Sequence, residues 1–268
     1  MPVPMAALCD DLDDETAALE ALLAPLSPLE WELATPAEGW AIRDQVSHLA
    51  WFDESALTSL ADPDRFREQL VEAIADPDGI IERVTKRYRD RTSQELLAWF
   101  RDARARLSQT FRHVDPSTRV PWYGPDMAAA SSLTARIMET WAHGQDVADA
   151  LGATRAPTKG LRHVAHLGVR TLANSFRTRE LPVPVAPVRV ELRGPDGDDW
   201  HWGEPAEDLV RGSAIDFCLV VTQRRHLSDT DLVVRGPVAT QWLSIAQAFA
   251  GPAGPGRAPG QFRNSADA

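Results

Sequence analysis

The chain has 268 residues, enough for one large domain or two modest ones, each with its own core. A formal net charge of −11 speaks against nucleic acid as a partner, because a surface that tracks phosphates is basic. No apolar run reaches the length that spans a bilayer, and the acidic N-terminal stretch lacks the basic start of a secretory signal; a cytoplasmic protein with no membrane partner is expected.

Basic charge is carried almost wholly by Arg, with Lys only at Lys86 and Lys159. Together with abundant Ala and Pro, this suggests a GC-rich bacterial genome. Cys9 and Cys218 are far apart and form no CxxC pair, so two free thiols are expected.

In chain order, residues 6–24 read as an amphipathic helix ended by Pro25 and Pro28. A turn-rich entry over residues 35–40 leads into a helix over 41–61, with Ile42, Val46, Leu49, Ala56, Leu57 and Leu60 at helical spacing. His48 falls on a neighbouring stripe with Ala41, Asp44 and Phe52. Residues 62–91 carry two shorter helical patterns broken at Asp76-Pro77-Asp78-Gly79. Ser93 reads as the N-cap of a long helix reaching His113, with Glu95 near its positive end. The loop that follows is rich in aromatics, with Trp122 and Tyr123 bracketed by Pro and Gly. Those rings either line a pocket mouth or pack over the end of the bundle.

A further helix covers 127–151 and stops at Gly152, and another covers 158–179. Long helices with connectors of varied length predict a helical bundle. After the proline-rich stretch at 181–187 the pattern changes to strands at 188–192 and 199–202, a helix at 213–221, a strand at 231–235 and a helix at 238–249. The expected organisation is a bundle over 1–180, a small α+β domain over 187–250 and a disordered tail over 251–268.

The chemistry centres on Glu139-Thr140-Trp141-Ala142-His143. A Glu and a His four residues apart project from one side of a helix, so they can share a cation or form a surface pair. The surroundings of Glu139 are small and apolar, which makes an unpaired carboxylate costly there. His48 is the candidate third ligand, or else a satisfied histidine at a helix boundary. Three ligands from two helices would leave the open position that a catalytic metal needs. Asp146, one turn beyond His143, reads either as the group orienting that ring or as an ordinary surface carboxylate. Arg225 is the candidate contact for a substrate carboxylate, or else a solvated surface group.

The segment Thr35-Pro36-Ala37-Glu38-Gly39-Trp40 through Asp44-Gln45-Val46-Ser47-His48-Leu49, taken with Glu139 to Asp146, resembles the mycothiol-dependent maleylpyruvate isomerase family, part of the wider DinB-like group of metal-binding bundles. Residues 188–249, with Val210 to Asp216 and Gly236 to Trp242, are similar to that family's C-terminal domain. The resemblance implies an α+β protein, a DinB-like four-helix bundle followed by a small α/β domain, of actinobacterial type. It also implies a divalent metal held by His48, Glu139 and His143, with zinc the first choice and nickel or iron the alternatives. Mycothiol would be the thiol cosubstrate, and an electrophilic small molecule the substrate of an isomerase or transferase. The rival expectations are a non-catalytic metal-binding stress or sensor protein and a metal-dependent hydrolase. Oligomeric state is not legible.

Overall fold

A computed structural model of the chain describes residues 3–75 and 87–262. The break expected at Asp76-Pro77-Asp78-Gly79, and most of the helical pattern after it, lie outside those residues. The chain forms two compact units, residues 1–156 and 157–268.

The first unit is a four-helix bundle of α1 (Met5–Leu23), α2 (Ile42–Ala61), α4 (Ser93–Phe111) and α5 (Ala129–Leu151), with α3 (Pro63–Ala75) laid on α2. Local chemistry sets several ends. Asp62 caps α3 by accepting from the Arg65 amide at 3.1 Å, with Pro63 in the first helical position. The N-cap of α4 is Thr92, one residue before the expected Ser93. Thr92 Oγ1 accepts from the Glu95 amide and Glu95 Oε2 accepts from the Thr92 amide, a reciprocal box. Gly152 ends α5 in the left-handed conformation, at φ 61°.

Two apolar clusters fill the bundle. One joins Leu8 and Leu12 of α1 to Leu57, Phe111 and Leu133; the other joins Leu19 and Leu23 to Val46, Phe100 and Val147. Membership shows the directions: α1 and α5 run one way, α2 and α4 the other. The parallel pair α2 and α4 therefore needs a long return connection, and α3 lies in it.

Between the clusters every helix contributes a buried polar side chain. Asp53 of α2 takes Arg104 Nε of α4 at 2.7 Å and Arg136 Nε of α5 at 2.9 Å, while Arg104 Nη1 donates to Thr16 Oγ1 of α1 at 2.7 Å. All four are buried. Alongside, the buried Glu15 pairs with Arg155 at 3.1 Å.

The second unit begins earlier than expected. The helical stretch placed in the bundle, 158–179, is here two helices of this unit, α6 (Leu161–Arg170) and α7 (Leu172–Arg177). The reason is the partner of its apolar face: α6 packs on α8 (Ala214–Val221), so closely that a Cβ on Gly168 would sit 2.6 Å from Val221 Cγ2. The first unit holds a short antiparallel pair, β1 (Arg119–Val120) and β2 (Met127–Ala128). The mixed sheet of the second unit has the order β4-β3-β5-β6, with β3 (Val188–Arg193) antiparallel to β4 (Asp199–Trp202) and parallel to β5 (Asp208–Ser213), and β6 (Val233–Arg235) antiparallel to β5. Strand β5 was not expected from the pattern, because Arg211, Gly212 and Ser213 break its alternation. Helix α9 (Pro237–Ile245) follows, ending four residues sooner than expected.

The tail is also corrected for its described part. Gln247 Nε2 donates to the carbonyls of Gly251 and Pro252, Arg179 donates to Gly254 O, and the Gly260 amide donates to Asp229. Backbone groups there find partners, so residues 251–262 are ordered against the unit. Both cysteines are buried, the Cys9 thiol donating to Ser108 O at 3.4 Å and the Cys218 thiol to Leu161 O at 3.6 Å. Among the described residues no helix is long and apolar enough to cross a membrane. The architecture is α+β, a four-helix bundle followed by a small α/β unit.

Candidate metal centre

Helix α2 carries His48, and α5 carries Glu139 and His143. Glu139 Oε2 lies 3.1 Å from His143 Nε2 and 3.3 Å from His48 Nε2, and the two imidazole centroids are 4.4 Å apart. One donor atom from each of the three lies within 4.8 Å of the others. Donors around a tetrahedral cation with bonds of about 2.1 Å stand roughly 3.4 Å apart, so this set fits a divalent ion of zinc's size. Three unlike positions in the sequence thus meet at one point.

The protonation states favour the same reading. Burial, then the neighbouring His143, pushes His48 down to about 4, against the opposing pull of Glu139. Burial alone would raise the Glu139 carboxyl, yet the neighbouring imidazoles of His143 and His48 hold it well below the usual carboxylate range. Both shifts leave donors unprotonated near neutral pH, the form that binds a cation.

The ring nitrogen of His143 that faces away from Glu139, Nδ1, contacts Gln45 Oε1. Asp146, expected in this place, is fully buried one turn beyond His143, and the contact seen at Nδ1 is that of Gln45. The residue three before His48 reaches across the interface between α2 and α5, so the partner of this ring nitrogen comes from the facing helix. Gln45 in turn donates to Thr35 Oγ1 at 2.8 Å. His48 has no such support: its Nδ1 is buried and meets no hydrogen-bond partner among the described residues.

Aromatic rings surround the pair. Residues 35–40 fold back through a hydrogen bond from the Thr35 amide to Trp40 O at 2.8 Å, with Gly39 at φ 76°, where a side chain would be strained. That turn lays the Trp40 indole on His143, centroids 5.8 Å apart and planes 13° from parallel. Phe52 stands 4.5 Å from the His48 centroid and meets Tyr123 edge-on at 5.6 Å. Trp122 stacks on Phe66 of α3 at 5.8 Å. Of the two readings of this aromatic loop, packing over the bundle describes Trp122. Tyr123 is joined to His48 through Phe52, and burial pushes its phenol up to about 12, so it is no base at neutral pH.

Arg225 belongs to the second unit, where its guanidinium lies 4.1 Å from the Phe262 ring and donates to Arg224 O at 2.7 Å. Two residues of the first unit escaped the sequence reading, though each left a signal. Gln45 shares the stripe of Asp44 and His48, and Asp53 interrupts the apolar series 42, 46, 49, 53, 56, 60.

A family model described as the mycothiol maleylpyruvate isomerase N-terminal domain matches residues 12–148, which contain all three donors, Gln45 and Asp53. The chain belongs to that family. A second model, described as wyosine base formation, matches residues 184–235. Uncharacterised proteins from two strains of Mycobacterium tuberculosis, CDC 1551 / Oshkosh and ATCC 25618 / H37Rv, are each 48% identical over 248 residues, 92% of this chain and 96% of theirs. Crystal structures of the mycothiol-dependent maleylpyruvate isomerase and of a point mutant of it share the fold. They superpose with TM-scores of 0.54 and 0.55 at 16% identity, over 83% of this chain and 90% of each of those.

Proposed function

We propose that this chain is a divalent-metal enzyme that uses a low-molecular-weight thiol of the mycothiol type to act on an electrophilic small molecule, as an isomerase or a transferase. The observation that carries the proposal is the convergence of His48, Glu139 and His143 within one ligand sphere, in a family named for mycothiol chemistry. These three side chains would hold the cation, with zinc the first choice and nickel or iron as alternatives. A divalent cation there supplies Lewis acidity, which keeps a thiol deprotonated near neutral pH.

The chain's own groups do the rest. Glu139 and His48 present unprotonated donors, and burial keeps the surroundings of low dielectric, where charge stabilisation is strongest. The Trp40 and Phe52 rings restrict water on two sides of the imidazoles. The thiolate is the nucleophile: its sulfur adds to one carbon of a conjugated double bond, and the electron pair moves to the carbonyl. Rotation about the resulting single bond, followed by loss of the same thiolate, gives an isomer and returns the thiol. If the adduct is protonated and leaves instead, the reaction is a transfer.

The test is cobalt substitution followed by titration with mycothiol. About one equivalent of cobalt per chain, with a visible spectrum that shifts on adding the thiol, is the expected result. Bound cobalt that no thiol perturbs overturns the thiol chemistry and favours a metal sensor. Turnover that proceeds without thiol makes the protein a hydrolase.

A further inference from the structure

The hydrogen-bond directions around His143 follow from the chemistry of each partner. The carbonyl of Trp40 can only accept, so the Thr35 hydroxyl, 3.0 Å away, gives it its single proton. Thr35 Oγ1 then has only lone pairs to offer Gln45 Nε2, which donates across 2.8 Å. With its nitrogen committed to Thr35, the Gln45 amide turns its oxygen toward His143 Nδ1. An amide oxygen only accepts, so the proton sits on Nδ1 and Nε2 is the atom left facing Glu139, 3.1 Å away. The relay also closes on itself. The carbonyl that starts it and the indole that lies over the His143 ring both belong to Trp40.

We infer that Thr35 and Gln45 are positioning residues of the metal centre: together they set the Nδ1–H tautomer of His143, so that its Nε2 lone pair faces the cation. This assignment rests on the metal reading of the site. It makes the two imidazoles unequal, because His143 is preset by hydrogen bonds while His48 is held by the rings of Phe52 and Trp40. It also gives the turn at residues 35–40 a purpose beyond entering α2, since it supplies both the first acceptor and the covering ring. Thr35 touches neither metal nor substrate and acts only through Gln45.

The experiment uses the full chain as wild type, Thr35→Val, Thr35→Ser and Gln45→Leu, with two measurements. The first is zinc affinity by competition with a chromophoric chelator. The second is the His143 tautomer in metal-free protein, read from the nitrogen-15 shifts of its ring at mildly alkaline pH. Wild type is expected to show the proton on Nδ1. Thr35→Val keeps the side-chain shape but removes the hydroxyl, which frees the Gln45 amide to turn over. Zinc binding should then weaken about 10- to 100-fold with Gln45 still present, the usual loss when an orienting partner is removed. Gln45→Leu should lose as much, and Thr35→Ser should restore both readouts. Zinc affinity of Thr35→Val within about twofold of wild type overturns the inference, since a partner that orients a ligand is worth more than that. So does a wild-type His143 protonated on Nε2 alone. If wild type binds no zinc, the metal reading falls while the tautomer measurement still decides the role of Thr35 and Gln45.

Discussion

His143 is the one side chain tied to every part of the centre: Nε2 faces Glu139, Nδ1 meets Gln45 and the ring carries Trp40. His143→Ala is therefore expected to abolish stoichiometric metal, measured by elemental analysis beside wild type; full retention would remove the assignment. The loss should exceed the roughly 10- to 100-fold of an orienting partner, because a donor atom itself is gone. Tyr123 gives a prediction of opposite character. Burial holds its phenol neutral up to about 12 against an ordinary value of 10. Between those values the folded chain keeps a proton that the unfolded chain has lost, so stability falls as pH rises across that interval. The melting temperature of wild type should drop more steeply there than that of Tyr123→Phe, and equal slopes would contradict the shift. At this scale the donors were legible and their support was not. Glu139 and His143 announce themselves by a spacing of four, a property of one helix. Gln45 acts across two helices, and nothing in its own neighbourhood says which helix α2 faces.

Helices α2, α4 and α5 meet at Asp53, where one carboxylate serves two guanidiniums with all three groups buried. Burial draws the Arg104 guanidinium down, and the Asp53 charge and hydrogen bond are the main counter to it, with a smaller pull from Asp13. Removing that carboxylate strands two buried cations. Asp53→Ala should cost about 3–5 kcal/mol, as for other buried pairs broken on one side, and the urea midpoint measures it. A loss under about 1 kcal/mol would mean the arginines find water, as at a surface pair. Asp53 lies five residues after His48 and Arg136 three before Glu139, so the same contacts fix α2 against α5 beside the candidate metal centre. Element positions were largely readable from period and caps: the expected helices at 6–24, 41–61 and 127–151 match α1, α2 and α5 to within two residues. What failed was partnership. The helical stretch at 158–179 has an apolar face like any bundle helix, but that face closes on α8. Strand β5 carries Arg211 and Gly212 near its end, so its place beside β3 comes from tertiary pairing rather than from its own alternation.

The whole chain carries a formal net charge of −11, so any divalent cation will gather around it without a site. That sets a demanding condition for the metal reading, because a rise in melting temperature on adding zinc is not by itself evidence of His48, Glu139 and His143 acting together. The two kinds of binding separate by salt. Diffuse attraction to exposed carboxylates is screened over a Debye length of about 10 Å at 0.1 M and about 3 Å at 1 M. Donors bonded directly to a buried ion feel little of that screening, since His48 and His143 are both buried and the Glu139 oxygen lies between them. A ligand that binds only the folded chain stabilises it by RT ln(1 + [L]/Kd), about 4 kcal/mol at a thousandfold excess over Kd. Zinc at that excess is therefore expected to stabilise wild type by nearly the same amount at low salt and at about 1 M salt, with a chelator reversing it. His143→Ala should keep only the part that salt removes. Scanning calorimetry at the two salt concentrations decides it. A wild-type shift that vanishes in high salt would make the zinc a surface counterion and leave the three side chains as a buried hydrogen-bonded cluster.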